Sequence, residues 1–332
     1  MNPRRGRRAV VIDCDPGVDD ALALAMALVS PEIEILAVTA VQGNVPARWA
    51  RRNARRALTF FGAHLEGPPS LPPVHSGASF PLLRRRVDRR VSAAIHGRDG
   101  LGDMFSGGRR PPALSPAPKE PADRLIASLA RRMGGDLTLV ALGPLTNLAL
   151  AVRRAPRAMA RVGRIVVMGG AARMPGNAAP AAEFNIHCDP HAADLVLGCG
   201  APITLVGLDV TRQTILPAKA LRGGGAFRRA LRDLTRPYAA FSKANRGEDG
   251  IILHDPLALA AAIDPSLVRC ETRPVQVECG DGPARGMTVV DLRPEAGLRE
   301  GGAGGMVDVA LEVEAERFLA FFLERMGRYR GW

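Results

Sequence analysis

Four carboxylates fall within eight residues near the start of the chain: Asp13, Asp15, Asp19 and Asp20, in the run VVIDCDPGVDDALAL. Like charges this close repel one another, and each costs free energy to desolvate. A chain that gathers them beside apolar residues has two chemical uses for them. They can hold a cation, or they can tune one carboxylate into a base. Further along lie Asn44, Asn177, Glu183 and Asn185, donors and acceptors of the kind that hold sugar hydroxyls, and two histidines, His96 and His254, suited to touching or protonating a leaving group.

These residues need elements to position them. Ala9–Cys14 reads as a buried strand and Val18–Val29 as a buried helix, so the acids fall on a strand-to-helix turn. The alternation continues with a strand over 33–41 and a helix over 47–61 with an Arg-rich outer face. A helix over 121–133, a strand over 137–142 and a helix over 145–153 follow. Then come a strand over 164–168, a helix over 191–197 and a strand over 203–208, with a terminal helix over 315–326. This order predicts an α/β fold: a doubly wound, mostly parallel central sheet with helices on both faces. The Pro-rich stretch 111–121 reads as an extended connector and 297–305 as a flexible Gly-rich loop. Neither divides the chain, so residues 1–332 are expected to form one domain with an insertion or cap.

Strand after strand ends in a polar or Gly-containing motif: DCDPGVDD, Val41-Gln42-Gly43-Asn44, Leu142-Gly143-Pro144-Leu145-Thr146-Asn147 and Met168-Gly169-Gly170. In a parallel sheet these carboxyl ends line one edge, where ligands sit. Two further polar clusters, Glu183-Phe184-Asn185-Ile186-His187 and His254-Asp255-Pro256, are expected in loops. Asp15, Asp20 and Asp255 offer carboxylates to a hard cation such as Ca2+, and the Leu142 carbonyl offers another oxygen. No Cys/His grouping with zinc spacing competes. Taken singly, each polar site has a plainer explanation. Asn after Gly is a turn residue, Asp189-Pro190-His191 is a helix cap, and His254-Asp255-Pro256 could be another. Four clustered carboxylates have no such cheap explanation.

The net charge is +12, carried almost wholly by arginine. The Arg residues are scattered and aromatics make up only 4%, so a nucleic-acid partner is not expected and the Arg-rich run 84–90 reads as an exposed face. No apolar run approaches the ~20 residues of a membrane helix. The basic N-terminus lacks the apolar stretch of a secretory signal. Five cysteines without paired spacing suit a reducing compartment, and a cytoplasmic location is expected.

DCDPGVDDALAL resembles the signature of the inosine–uridine-preferring nucleoside hydrolases. VQGN, HGRDGLGD, GPLTNLALA, VVMGGA, GNAAPAAEFNIHCDPHAA, HDPLALA and GMTVVD fall in that family's order and approximate spacing, from Val10 to about Asp291. The resemblance implies Ca2+-dependent hydrolysis of the N-glycosidic bond of a small-molecule ribonucleoside, giving ribose and free base. Asp15 would bind Ca2+ and act as base toward the metal-bound water. Asp20, Asp255 and the Leu142 carbonyl would complete the metal site. Asp19, Asn44, Asn177, Glu183 and Asn185 would hold the ribose. His96, Met168, Phe184 and His254 would surround the substrate, with His254 the proton donor to the leaving base, and Asp13 would support the loop from behind. The resemblance also implies a homodimer or homotetramer. The preferred base is left open, and Tyr238 and Phe241 are read equally as stacking or core residues. The alternatives are a non-catalytic Ca2+-dependent ribonucleoside-binding protein and a haloacid dehalogenase-type phosphatase. The latter leaves the Pro-Gly-Val-Asp-Asp continuation unexplained.

Overall fold

The computed structural model describes residues 6–67, 70–83, 87–105, 118–293 and 305–332. Most of the connector expected at 111–121, the Gly-rich loop expected at 297–305 and half of the Arg-rich run 84–90 lie outside these residues.

The strands are β1 (Arg8–Cys14), β2 (Ile33–Ala40), β3 (Val74–Ser76), β4 (Leu137–Ala141), β5 (Arg164–Met168) and β6 (Ile203–Val206). They continue with β7 (Ile215–Pro217), β8 (Gly250–Ile252), β9 (Val268–Val277), β10 (Thr288–Val290) and β11 (Gly305–Val313). Nine of them form one sheet in the order β10-β9-β11-β6-β5-β4-β1-β2-β3, and β7 pairs with β8 separately. The six strands β1 to β6 run parallel, and β11 extends them in parallel beside β6. β9 and β10 close that edge antiparallel.

Side chains alternate across these strands with period two, and helices cover both faces. Val10, Ile12 and Cys14 of β1, with Val140 of β4 and Val166 and Met168 of β5, point into a core that the helices Val18–Leu28, Ala226–Arg246, His254–Ile263 and Ala315–Met326 complete. Val11, Leu139, Ala141, Ile165 and Val167 face the opposite core, under the helices Ala122–Met133, Thr146–Arg154 and Pro190–Leu197. Helix Val18–Leu28 carries almost no polar face, which fits its position buried between sheet and outer helices.

The order β3-β2-β1-β4-β5-β6 reverses direction between β1 and β4. A doubly wound sheet opens a crevice at such a switch point, outside the carboxyl ends of its strands. Here that point lies between the DCDPGVDD turn and the Leu142-Gly143-Pro144 turn.

The structure corrects several expectations. Phe184–Cys188 is a short helix with Glu183 as its N-cap, and His254 opens helix His254–Ile263; neither cluster is in a loop. The strand expected to reach Leu208 stops at Val206, and Leu208 begins a helical turn. Asp189 caps helix Pro190–Leu197 by accepting from Ala192 N at 3.2 Å, as expected. The outer face of helix Ala47–Gly62 is not simply solvated. Arg52 and Arg56 lie half-buried over the rings of Trp49 and Phe105, at 4.3 and 5.2 Å. Arg89 is likewise no solvated charge. It donates through Nε to Gly43 O at 2.7 Å and through Nη2 to Gln42 Oε1 at 3.3 Å, pinning the loop after β2.

Candidate active site

The turn after β1 is built around Asp15 and Asp20. Asp20 accepts from Gly17 N at 2.8 Å and from Asp15 N at 3.2 Å, so it both starts helix Val18–Leu28 and folds the turn back on itself. The Asp15 carboxylate accepts from Asn44 N at 2.5 Å through Oδ2, while its Oδ1 is buried with no hydrogen-bond partner among the described residues. Two glycines from neighbouring strand ends make room for it. A Cβ on Gly43 would stand 1.9 Å from Asp15 Oδ2, and one on Gly143 would stand 2.6 Å from Oδ1. Asp13 turns away from this group. It accepts from Thr39 Oγ1 at 2.5 Å and Asn147 Nδ2 at 2.7 Å, tying β1, β2 and the turn after β4 together.

Asp255, in the first turn of helix His254–Ile263, arrives beside the same turn. Asp19, Asp20 and Asp255 each present an oxygen, and these oxygens lie within 4.8 Å of one another. Asp15 stands outside that triplet, with its orphaned Oδ1. The Leu142 carbonyl, at the end of β4, accepts from Asn185 Nδ2 at 2.8 Å. All four acids are buried. Burial and the neighbouring acids raise Asp15 and Asp255 well above the ordinary carboxylate range and Asp19 to about 8. Burial also raises Asp20. Such a group retains protons unless a cation replaces them. A dry cluster of oxygen donors, two of them with no hydrogen-bond partner among the described residues, fits a hard divalent ion.

Above the acids opens a cavity of about 520 Å3. Asp19, Asn44, His96, Leu142, Met168, Asn177, Glu183, Phe184, Asn185, His254 and Asp255 all line it. Asp15 and Asp20 lie beneath it in the turn. Three of the polar lining side chains are held by their neighbours. Asn44 Oδ1 accepts from Ser92 Oγ at 2.8 Å. Asn177 Oδ1 accepts from Phe184 N at 2.8 Å. Glu183 accepts from Asn185 N, Ile186 N and Gly170 N, at 3.0 to 3.2 Å. Burial lifts Glu183 to about 7 against those three amides.

The two histidines are both neutral. Burial lowers His96 to about 3, and its Nδ1 accepts from Val18 N at 3.1 Å. The 3.9 Å approach of His96 Nδ1 to Asp19 is therefore not an ion pair. Burial, together with Arg246 and Arg212, lowers His254 to about 3, and its Nδ1 hydrogen-bonds Thr211 Oγ1 at 2.8 Å. Within the HGRDGLGD block, His96 lines the cavity and the two acids build the loop behind it. Asp99 accepts from Leu101 N and Asp103 N, and Asp103 from Arg98 N and Asp99 N. A Cβ on Gly102 would stand 2.0 Å from Leu234 O, and this close packing brings His96 against Tyr238, with ring centroids 5.9 Å apart.

Tyr238 and Phe241 line the cavity, so they face the pocket rather than only the core. Sequence reasoning missed Arg246, Ser92 and Arg285, which also line it. Arg246 ends a helix just before Gly247, a position where a basic residue ordinarily just complements the helix terminus.

The comparisons with known proteins agree over nearly the whole chain. Residues 10–320 match the family described as inosine-uridine preferring nucleoside hydrolase. The chain is 39% identical over 326 residues to a pyrimidine-specific ribonucleoside hydrolase, RihA, of Klebsiella pneumoniae, covering 96% of this chain and 98% of that one. A plant nucleoside hydrolase structure superposes with a TM-score of 0.85 at 36% identity, covering 96% and 98%. A purine-preferring ribonucleoside hydrolase structure from Gardnerella vaginalis gives 0.84 at 36% identity, covering 97% and 99%. With its sheet order, its switch-point acids and these matches, the chain belongs to the inosine-uridine preferring nucleoside hydrolase family.

Proposed function

We propose that this protein is a Ca2+-dependent ribonucleoside hydrolase that cleaves the N-glycosidic bond to give ribose and free base. One observation carries the reading. Asp19, Asp20 and Asp255 meet at a cavity lined by amide and carboxylate side chains together with aromatic, imidazole and guanidinium groups. The first set suits a sugar and the second a base.

Asp15, Asp20, Asp255 and the Leu142 carbonyl would hold the ion, with Asp19 beside them. When bound, a hard cation of this kind supplies Lewis-acid polarisation of the oxygens it contacts. Asp15 accepts the proton of the attacking water. Its Oδ1 is free, its Oδ2 is fixed by Asn44 N, and its dry setting raises its basicity. Asp19, Asn44, Asn177, Glu183 and Asn185 bind the ribose hydroxyls in one pose, with His96, Met168 and Phe184 closing around them. Positioning of this kind lowers a barrier by as much as ~7–11 kcal/mol. His254 rests neutral, so it serves as a relay: negative charge growing on the departing base raises the base's proton affinity, and the imidazole gives it a proton while taking up another from solvent. Charge builds on the sugar ring as in glycoside cleavage. We further propose that residues 1–332 act as a single domain in a homodimer or homotetramer.

The test is a product assay. Purified protein with millimolar Ca2+ is expected to release ribose and free base from uridine or inosine, and chelation is expected to stop it. Affinity for nucleosides without product would mark a binding protein instead, and phosphate release from a phosphomonoester would mark a phosphatase.

A further inference from the structure

One short segment reaches the site with three side chains, and the proposed chemistry uses only the last of them. Helix Arg90–His96 has Arg89 as its N-cap and buries Ser92 and His96. Arg89, Ser92 and His96 stand at positions i, i+3 and i+7, which share one face of a helix. Each ends on a different part of the turns after β1 and β2. Arg89 donates to Gly43 O and to Gln42 Oε1. Ser92 Oγ lies 2.8 Å from Asn44 Oδ1 and 3.2 Å from Asn44 O. His96 accepts from Val18 N. The segment seats this closely because the turn beneath it carries a glycine. A Cβ on Gly17 would stand 2.7 Å from His96 Nδ1 and 3.0 Å from Asn44 Nδ2.

A hydroxyl carries one hydrogen, and the nearer of the two acceptors beside Ser92 is Asn44 Oδ1. A side-chain amide can turn over about its last bond, which exchanges its acceptor with its donors. Two groups hold the Asn44 amide against that reversal. Ser92 offers its hydrogen to Oδ1 on one side, and Asp20 Oδ2 stands 3.5 Å from Nδ2 on the other. The reversed amide would set its oxygen against the Asp20 carboxylate. Asn44 therefore turns its N–H group toward the acids. Asp19 lines the same cavity, and its Oδ1 is buried with no hydrogen-bond partner among the described residues. An oxygen that meets both an N–H and a carboxylate must accept one hydrogen and donate another, which a hydroxyl does and an ether oxygen does not.

We propose that Ser92 is a positioning residue for the hydrolysis: it fixes the Asn44 amide with its N–H toward the sugar, so that one ribose hydroxyl is held between Asn44 and Asp19. Arg89 anchors the preceding residue and so keeps Asn44 N on Asp15 Oδ2. Ser92 acts through Asn44, and Arg89 acts through Gly43. Loss of the Ser92 hydroxyl therefore falls on recognition of one sugar hydroxyl, whereas loss of the Arg89 fork falls on the placing of Asp15. This assignment rests on the hydrolase reading and adds to it what orients the sugar contact.

The experiment measures kcat and KM for uridine, 2′-deoxyuridine and 3′-deoxyuridine with the wild type, Ser92→Ala, Ser92→Thr and Arg89→Lys. In Ser92→Ala, kcat/KM for uridine is expected to fall about tenfold, the effect of one buried hydrogen bond. One deoxyuridine is expected to lose as much, and the other less than about twofold, because it lacks the hydroxyl that Asn44 meets. Ser92→Thr keeps the hydroxyl and is expected to stay within about threefold of the wild type. Arg89→Lys keeps the charge without the fork, and is expected to lower kcat on all three nucleosides alike. Calorimetric titration with the same nucleosides reads the Ser92 effect without turnover. Equal losses on all three in Ser92→Ala, or none, would overturn the assignment. So would a Ser92→Thr variant as poor as Ser92→Ala with an unchanged thermal transition. An unchanged kcat in Arg89→Lys would overturn the part given to Arg89. If the wild type binds uridine over one deoxyuridine in a Ser92-dependent way yet releases no ribose, the hydrolase reading fails and the assignment of Ser92 stands.

Discussion

The floor and the aromatic wall of the cavity are built on different principles. On the floor, residues from the ends of β1, β2 and β4 and from two helices lock one another. Asp20 holds the turn, Asn44 holds Asp15, two glycines make its space, and Asn185 bridges the Leu142 and Met168 carbonyls. The wall is a single helix, Ala226–Arg246, whose Tyr238, Phe241 and Arg246 make few specific bonds. Floors of this kind fix geometry to fractions of an ångström, whereas walls of this kind can change what they accept without unmaking the machinery. Substitutions in the floor should therefore abolish turnover, and substitutions in the wall should redistribute it.

The sharpest way to break that contrast is at Asp15. Asp15→Ala is expected to lower kcat by at least the ~10²–10⁴-fold that general-base catalysis supplies, and activity retained within tenfold would remove Asp15 from the chemistry. Gly43→Ala comes next. The added methyl cannot share space with Asp15 Oδ2, so the carboxylate must move, and a loss of about 10²-fold in kcat is expected from that displacement. A normal thermal transition alongside that loss would show that the defect is one of position. Third, His254→Ala should slow a nucleoside with a poor leaving base by roughly 10²-fold but an activated aryl riboside much less. Equal slowing of both would leave His254 only a binding role.

The smallest effect is on stability. Asp13, Asp19 and Glu183 have folded-state values near 7 to 8, well above those of the unfolded chain. The folded state then keeps protons that the unfolded state has shed. Their contribution is complete below about pH 4 and is lost as pH rises through 7 to 8. Thermal melts of the metal-free protein should fall by a few degrees between pH 5 and pH 8 on this account. Added Ca2+ should raise the melting temperature more at pH 8 than at pH 5, because it competes with fewer protons. An equal Ca2+ shift at both values would place the ion away from these acids.

Much of the floor was legible in the sequence because its signals are local. An apolar strand followed by acids, and three further strand ends carrying Gly or Asn, together name one sheet edge. Asp255 could be offered to the cation on its chemistry, but its place at that edge came through the family resemblance, since nothing nearby in the chain says that helix His254–Ile263 packs against helix Val18–Leu28. What escaped notice depends on rotation and approach. Gly43 reads as a turn residue until the Asp15 carboxylate is seen inside the space its side chain would fill. Arg89, amid other arginines, reads as solvated, yet it reaches back to a carbonyl after β2. Strands β9 to β11 were unassigned because β9 is largely half-exposed and lacks a clean apolar alternation. Arg246 is invisible for a similar reason: a basic residue at a helix end is ordinary until one of its nitrogens is found buried beside a cavity.

The hydrogen bond from Val18 N to His96 has a consequence for what the pocket can recognise. An imidazole that spends one nitrogen's lone pair on a main-chain amide, and stays neutral, carries its only proton on the other nitrogen. The backbone thereby makes His96 a one-way partner: toward anything that fills the cavity it gives a hydrogen and takes none, so the polarity of that contact is written into the start of a helix rather than left to the ligand.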